Sequence, residues 1–188
     1  MRTSDDPAAS VERPRIELRA VGYGDPVAGE LVERVQQEYV VRYGGRDGAV
    51  VDPAEFSPPQ GLFLVAEVDG VPAGCGGWRV HTPGVVELKR MYVEPAFRRH
   101  GIARRLLSAL ERTAAAAGHG HLVLNSGDRQ PEALALYARA GYTPVPGYGI
   151  YAGSPDAVFL GRDLGEDLGE DLGGQLPARA EEEDAWAS

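Results

Sequence analysis

The sequence contains a single cysteine, Cys75, and a single lysine, Lys89. One cysteine excludes an internal disulfide and a cysteine-based metal site. No apolar run is long enough to cross a bilayer, and the amino-terminal residues are too polar and acidic for a secretory signal. We therefore expect a cytoplasmic protein with no membrane partner and no metal. The P-loop pattern GxxxxGK followed by Ser or Thr is also absent.

The net charge of -9 comes almost entirely from the carboxyl-terminal end. From Asp163 onward there are nine acidic residues and one arginine, whereas the first 162 residues carry 19 acidic and 18 basic residues. The repeated DLGE tetrapeptide opposes both helix formation and burial. We predict a flexible lead over residues 1–13, a domain over 14–164 and a mostly disordered acidic tail over 165–188. Basic residues cluster in segment 89–105, which predicts one anionic ligand site and no nucleic-acid partner.

Hydrophobic periodicity divides the domain into strands and helices. It predicts strands over residues 15–19, 61–68, 73–80, 85–93, 121–125, 142–145 and 157–160, and helices over 30–43, 102–117 and 131–140. Asp69-Gly70 is a favoured hairpin turn between the second and third strands. This order of elements predicts a mixed α/β sheet with helices on both faces.

The strand over residues 85–93 has an interrupted alternation. Val86 and Leu88 keep step with each other, and so do Met91 and Val93, but the two pairs are out of phase by one residue. A β-bulge near residues 89–90 would repair the phase and leave backbone groups unpaired. A strand buried on both faces explains the same pattern equally well.

The segment Arg98-Arg99-His100-Gly101-Ile102-Ala103 follows this strand and opens the long helix. A turn between a strand and a helix presents free backbone N–H groups at the positive end of the helix. Gly101 lets a phosphate approach closely, and the arginines add charged donors. The segment therefore predicts a pyrophosphate-binding turn.

The sequence resembles the GCN5-related N-acetyltransferases (GNAT family) from about residue 62 to residue 164. Segment 98–103 fits the family's acetyl-CoA signature (Q/R)-x-x-G-x-(G/A), and LKRMYVEP precedes it. A second motif, A-x-x-L-Y-x-x-x-G-(F/Y), is matched by residues 133–142. Gln130 stands where many relatives have asparagine. The resemblance implies a single-domain, mostly antiparallel mixed sheet with a splayed strand pair, and an N-acetyltransferase that uses acetyl-CoA.

The resemblance also implies roles for individual residues. The main chain of Met91 and Val93 would pair with the pantetheine arm of acetyl-CoA. Tyr137 would lie near the thioester sulfur and protonate the leaving thiolate, although its helical spacing alone indicates a core aromatic. The full set of expected cofactor contacts is Met91, Val93, Arg98, Arg99, His100, Gly101, Ile102, Ala103, Gln130, Ala133 and Tyr137.

Glu87 is the candidate general base, because an attacking ammonium must first lose a proton. A carboxylate beside the bulge could take that proton directly or through a water, but a solvent-facing strand glutamate fits the sequence as well. Asn125 could orient the amine or a water, or equally cap the turn that follows it.

The acceptor is expected between the first helical region and the last strand pair. Aromatic residues in segments 39–59 and 146–155 would form its walls, namely Tyr39, Tyr43, Phe56, Tyr148 and Tyr151. Trp78 and Arg79 could line the pocket too, with Arg79 facing a substrate carboxylate, although a core tryptophan beside a solvated arginine is commoner. Asp52 and Glu55 could attract an ammonium group, and Arg42 and Arg46 a carboxylate, but solvated loop residues explain them as readily.

The preferred function is transfer of an acetyl group from acetyl-CoA to a small-molecule amine by direct attack. Cys75 lies between glycines without an evident base, which disfavours a covalent intermediate. A protein lysine or amino terminus as the acceptor, and a non-catalytic acyl-CoA-binding module, are the alternatives. Dimers are common among relatives, so a homodimer is one of the oligomeric states that the sequence allows.

Overall fold

The computed structural model describes residues 14–165, so the lead and nearly all of the acidic tail lie outside the described residues. Seven strands and three helices form the domain. The strands are β1 (Ile16–Val21), β2 (Gly61–Val68), β3 (Val71–Thr82), β4 (Val85–Val93), β5 (His121–Gly127), β6 (Thr143–Pro144) and β7 (Ala157–Asp163). The helices are α1 (Pro26–Tyr43), α2 (Ile102–Ala116) and α3 (Pro131–Arg139). Among the described residues no helix is long and apolar enough to span a membrane.

All seven strands form one sheet in the order β1-β2-β3-β4-β5-β7-β6. β4 and β5 are parallel, and every other neighbouring pair is antiparallel. Asp69 and Gly70, between β2 and β3, both have positive φ, as a hairpin turn of this type requires. The predicted mixed, mostly antiparallel sheet and its hairpin are confirmed.

Helices cover both faces of the sheet, as predicted. On one face, Leu31 and Val35 of α1 pack against Phe63 of β2. On the other, apolar side chains of α2, including Leu106 and Leu110, join the inward side chains of the central strands. α1 begins four residues before the predicted start, because the Asp25 side chain accepts hydrogen bonds from the first N–H groups of the helix.

A β-bulge in β4 confirms the hypothesis drawn from the phase slip. Lys89 pairs with Gly77 and Tyr92 with Cys75, so two residues of β4 lie opposite the single residue Gly76. Arg90, the first residue of the bulge, has a φ of 58°. The Cys75 thiol donates a 3.4 Å hydrogen bond to the Arg90 carbonyl, one of the groups that the bulge removes from the ladder.

Beyond the bulge, β4 and β5 separate. Their parallel pairing runs from Val85 and His121 to Leu88 and Leu124, and ends there. The Glu94 N–H still bonds to a β3 carbonyl, so the alternation along the strand directs the amide groups of Met91 and Val93 away from β3, into the gap. This is the splayed strand pair that the family resemblance predicted.

Candidate active site

A cavity of about 1420 Å³ fills the gap between β4 and β5 and continues on both sides of the sheet. Small-molecule pockets typically measure roughly 300–1,000 Å³, so this cavity has room for a long cofactor arm together with an acceptor. The two separating strands, the start of α2, α3, the end of α1 and segment 151–157 contribute to its wall.

The amino terminus of α2 opens into this cavity. Gly101, the residue before the helix, has a φ of 79° and no side chain caps the helix. A Cβ at Gly101 would contact nothing within 4 Å, so the backbone conformation, not crowding, requires glycine there. The N–H groups of Ile102 and Ala103 have no acceptor in the part of the chain that the structure describes. Unpaired donors at the positive end of a helix suit an anionic group.

The two arginines of the turn have different surroundings. The Arg98 guanidinium donates to the Val93 carbonyl at 2.9 Å and pairs with Glu38 of α1 at 2.9 Å. Its side chain therefore fastens the turn to β4 and α1, and Arg98 also lines the cavity. Its contact with a pyrophosphate stays a prediction. Arg99 lies on the cavity wall. His100 does not line the cavity, and its imidazole Nδ1 lies 2.9 Å from the Arg98 carbonyl.

Tyr137 is both a core aromatic and a residue of the cavity wall. It is only 5 % exposed and its ring lies 5.6 Å from that of Tyr142 in the core, yet it also lines the cavity together with Gln130 and Ala133. No hydrogen bond engages its hydroxyl within residues 14–165. Burial, with a smaller contribution from Tyr39, raises the pKa of this hydroxyl. Tyr137 therefore keeps its proton at neutral pH.

Asn125 lies on the cavity wall at the point where β5 has left β4. The strand continues through Gly127, and the following turn is closed by the Gln130 N–H, which bonds to the Gly127 carbonyl. The interpretation of Asn125 as a turn cap is therefore wrong.

Glu87 is buried and paired, and it does not line the cavity. It is 3 % exposed, which contradicts a solvent-facing position. One carboxylate oxygen lies 3.0 Å from the Arg79 guanidinium and the other 3.0 Å from the Lys89 ammonium. Lys89, in contrast, is part of the cavity wall. The structure therefore connects Glu87 to the cavity through Lys89.

Three of the seven residues predicted to line the acceptor pocket, Tyr39, Tyr43 and Tyr151, line the cavity. Phe56 and Trp78 are core residues, which corrects their predicted role. Phe56 stacks on Tyr23 with a centroid distance of 4.8 Å, and the Trp78 indole N–H donates to Thr113 at 3.0 Å. Aromatic residues near a site cannot be assigned to the wall or to the core by sequence alone.

Arg79 and Tyr148 are also corrected. Arg79 pairs with Glu55 at 2.5 Å and with Glu87 at 3.0 Å, so it is not free for a substrate carboxylate. Tyr148 packs on Phe159 with a centroid distance of 5.1 Å. Burial and the neighbouring Glu87 carboxylate raise the pKa of its hydroxyl.

The other loop charges considered for the acceptor are likewise engaged within the protein. The Asp52 side chain caps a short 3-10 turn over residues 53–56, and Arg46 pairs with Glu33 at 2.7 Å. Arg42 pairs with Glu38 at 2.6 Å and also with Glu132. The contact between Arg42 and Glu132 is not visible in the sequence, because the two residues are 90 positions apart.

A largely buried ion pair that the sequence did not reveal lies on the cavity wall. Arg90, at the bulge, pairs with Asp47 in the loop after α1, and the Tyr151 hydroxyl donates to Asp47 at 2.8 Å. The same hydroxyl accepts from the Gly48 N–H at 2.8 Å. Burial would raise the pKa of Asp47, but the Ala49 N–H and Arg90 outweigh it and lower that pKa. Two loops are thereby tied to each other and to β4.

Asp156 is a further residue of the cavity wall that the sequence did not reveal. Among the carboxylates of the cavity wall, Glu38, Asp47, Glu111 and Glu132 each pair with an arginine. The carboxylate of Asp156 makes no ion pair within the part of the chain that is described. It is therefore the wall carboxylate available to a cationic ligand.

A parallel strand pair that separates beside the uncapped amino terminus of a helix gives an α/β protein a site suited to an extended anionic ligand. Comparison with known proteins identifies the family. The description "Acetyltransferase (GNAT) family" belongs to the family model that matches residues 30–142. The chain belongs to this acetyltransferase family.

Individual relatives agree with the family. The IAA acetyltransferase of Azospirillum brasilense is 33% identical over 136 residues, which cover 72% of this chain and 89% of that protein. A Klebsiella pneumoniae structure described as a candidate acyl-CoA N-acyltransferase has a TM-score of 0.66 and 26% identity, and the match covers 79% of this chain and 97% of that one. The PaiA N-acetyltransferase of Thermoplasma acidophilum, solved with coenzyme A, shares the fold with a TM-score of 0.60 at 18% identity, covering 79% and 99% of the two chains.

Proposed function

We propose that the protein transfers an acetyl group from acetyl-CoA to the primary amine of a small molecule by direct attack. One observation carries the proposal. A single cavity runs from the open amino terminus of α2, through the gap between β4 and β5, to an acceptor side that the Arg90–Asp47–Tyr151 network closes. The Azospirillum brasilense relative, named an IAA acetyltransferase, fits a small-molecule acceptor.

The residues of the cavity fit acetyl-CoA, which supplies an acetyl thioester. The free amides of Ile102 and Ala103 suit its pyrophosphate, and Arg99 adds a cation. The amide groups of Met91 and Val93 that point into the gap suit the pantetheine arm, because they can pair with it as an added strand. The Val93 carbonyl already accepts from Arg98, so the Val93 N–H and both amide groups of Met91 are the available partners.

The acceptor side favours a small molecule over a peptide. A peptide would need an open groove, whereas segments 45–52 and 149–157 are joined above the cavity through Asp47 and Tyr151. Tyr39 and Tyr43 complete an aromatic wall around this side. Asp156 supplies the charge that attracts an ammonium group.

Proton transfer is divided between two residues. Tyr137 holds its proton and donates it to the leaving thiolate. Glu87 accepts the proton of the attacking ammonium, and an intervening water must carry it because the carboxylate lies behind Lys89. Cys75 is fully buried, and burial raises the pKa of its thiol, so an acyl group carried on Cys75 is not part of the route.

Replacing the unpaired carboxylate tests the acceptor side. For Asp156→Asn we expect the KM for an amine acceptor to rise about tenfold, since a charge-assisted hydrogen bond contributes roughly 1.5–3 kcal/mol. The KM for acetyl-CoA should not change. Thiol release, measured across a panel of small amines, gives both constants.

Asp128→Asn is the matched control. Asp128 is exposed in the neighbouring turn, where its N–H bonds to the Asp156 carbonyl, but it does not line the cavity. Equal effects of the two substitutions on the amine KM would indicate general surface charge and would contradict the assignment of Asp156. Turnover of peptides with no turnover of small amines would contradict the small-molecule acceptor.

A further inference from the structure

Lys89 is the only lysine of the chain, and it is one of the residues that line the cavity. It follows Leu88, the last residue of β4 that pairs with β5, so it stands where the gap between the strands begins. Its side chain is 11% exposed and shares a face of β4 with Glu87. A residue that carries an amine therefore belongs to the wall of a cavity that fits an acetyl thioester.

We infer that Lys89 is itself an acceptor, and that the protein acetylates this lysine in cis. The inference rests on the proposed use of acetyl-CoA. It adds a covalent modification site to the acceptor side of the cavity, with the chain's own amine in the place of a small-molecule amine.

The contacts of Lys89 provide a route for its proton. The ammonium nitrogen lies 3.0 Å from one oxygen of Glu87, and Arg79 holds the other oxygen at 3.0 Å. A carboxylate fixed by a second cation and in direct contact with the ammonium needs no intervening water, unlike the route for a free acceptor. Tyr137, with its unengaged hydroxyl, lines the same cavity.

The step balances without any further reactant. The Lys89 ammonium gives a proton to Glu87, and its nitrogen then attacks the thioester carbonyl. The new C–N bond forms, the nitrogen releases its second proton to solvent, the C–S bond breaks, and the thiolate takes a proton from Tyr137. Glu87 loses its proton to solvent and Tyr137 regains one from solvent, so each acetylation yields one amide, one free thiol and one net proton.

Acetylation would change the charge balance of the acceptor side. The neutral amide no longer pairs with Glu87, which keeps Arg79 as its cationic partner. The added acetyl group also projects from a residue of the cavity wall. We therefore expect the acetylated protein to turn over amines more slowly than the unmodified protein.

Intact-mass spectrometry tests the inference directly. The full chain is incubated with acetyl-CoA and no amine, and the expected result is the mass increase of one acetyl group. Peptide mapping should place this group on Lys89. The mapping is needed because the amino terminus is also an amine. The reaction should run more than about tenfold faster than in the urea-unfolded chain, since a held amine reacts as if highly concentrated.

Two variants make the result specific. Lys89→Arg keeps the positive charge beside Glu87 and should gain no acetyl group, and Glu87→Gln should slow the modification of Lys89 at least about tenfold. Calorimetric binding of acetyl-CoA and thermal unfolding show that each variant is folded and loaded.

Several outcomes separate this inference from the proposed function. Amine turnover with Lys89 unmodified overturns self-acetylation and leaves the proposed function intact. Acetylation at the amino terminus only, or at the rate of the unfolded chain, also overturns it. Failure of the folded wild-type protein to bind acetyl-CoA overturns both.

Discussion

Replacement of Tyr137 by phenylalanine is expected to lower kcat by about 10²–10³-fold, because general acid catalysis typically contributes 10²–10⁴-fold. The ring would remain packed beside Tyr142, and the hydroxyl that is lost makes no hydrogen bond within residues 14–165. The thermal unfolding temperature and the affinity for acetyl-CoA should therefore change little. Initial rates of thiol release, thermal unfolding and calorimetric titration of acetyl-CoA measure the three quantities separately.

Tyr142→Phe is the control for this substitution. The Tyr142 hydroxyl donates to the buried Glu111 at 2.9 Å, so its loss should reduce stability and leave kcat largely intact. The role of Tyr137 as the acid is contradicted if its phenylalanine variant retains kcat. It is equally contradicted if the loss of activity follows only from unfolding or from lost acetyl-CoA binding.

Replacement of Arg90 by methionine is expected to lower the free energy of unfolding substantially. The Arg90 side chain is 4% exposed and its partner Asp47 is largely buried, so the substitution leaves a carboxylate without its cation. Removal of one partner of a buried pair typically costs 3–5 kcal/mol, and we expect about 3 kcal/mol here because Asp47 is not fully enclosed. In a domain of this size that loss lowers Tm by roughly 6–12 °C.

The pH dependence of the stability difference between the wild type and Arg90→Met shows whether the ion pair with Asp47 causes it. Asp47 has a lowered pKa in the folded protein, so its pairing stabilises the fold above the ordinary aspartate pKa of about 4. This contribution is lost as the pH falls through the lowered pKa. The difference in stability between the wild type and the methionine variant should therefore shrink in acid.

Arg90→Lys retains the charge and should lose distinctly less stability than Arg90→Met. Urea unfolding at several pH values measures the differences. Equal losses for the two variants, or a difference that does not change with pH, would mean that the ion pair does not stabilise the closed acceptor side.

Much of the fold follows from local sequence patterns. The one-residue phase slip between Leu88 and Met91 predicted a bulge, because a period of two along a strand makes any extra residue visible. The turn ending at Gly101 and the amphipathic helix after it predicted the amino terminus that opens into the cavity. The bulge and the helix start are set by residues that are close together in the sequence, so the sequence pattern alone predicts them.

The acceptor side could not be predicted in the same way. Tyr151 and Asp47 are joined across 104 positions, and Arg79 is satisfied by two acids on other elements. A charged or aromatic residue in a loop looks the same whether it faces a ligand, an ion partner or the core. Phe56 was therefore assigned to the pocket. Asp156 was overlooked, because it differs from the other wall carboxylates only in having no cationic partner among the described residues.

The central claim is that a bound acetyl thioester is transferred to a free amine. The most direct measurement incubates the folded protein with acetyl-CoA and a panel of small amines, and quantifies both the released thiol and the acetylated amine by mass spectrometry. The proposed function predicts many turnovers for at least one amine, with one acetylated product for each thiol released. If the protein binds acetyl-CoA but thiol release never exceeds one equivalent per chain with any amine, the claim is contradicted.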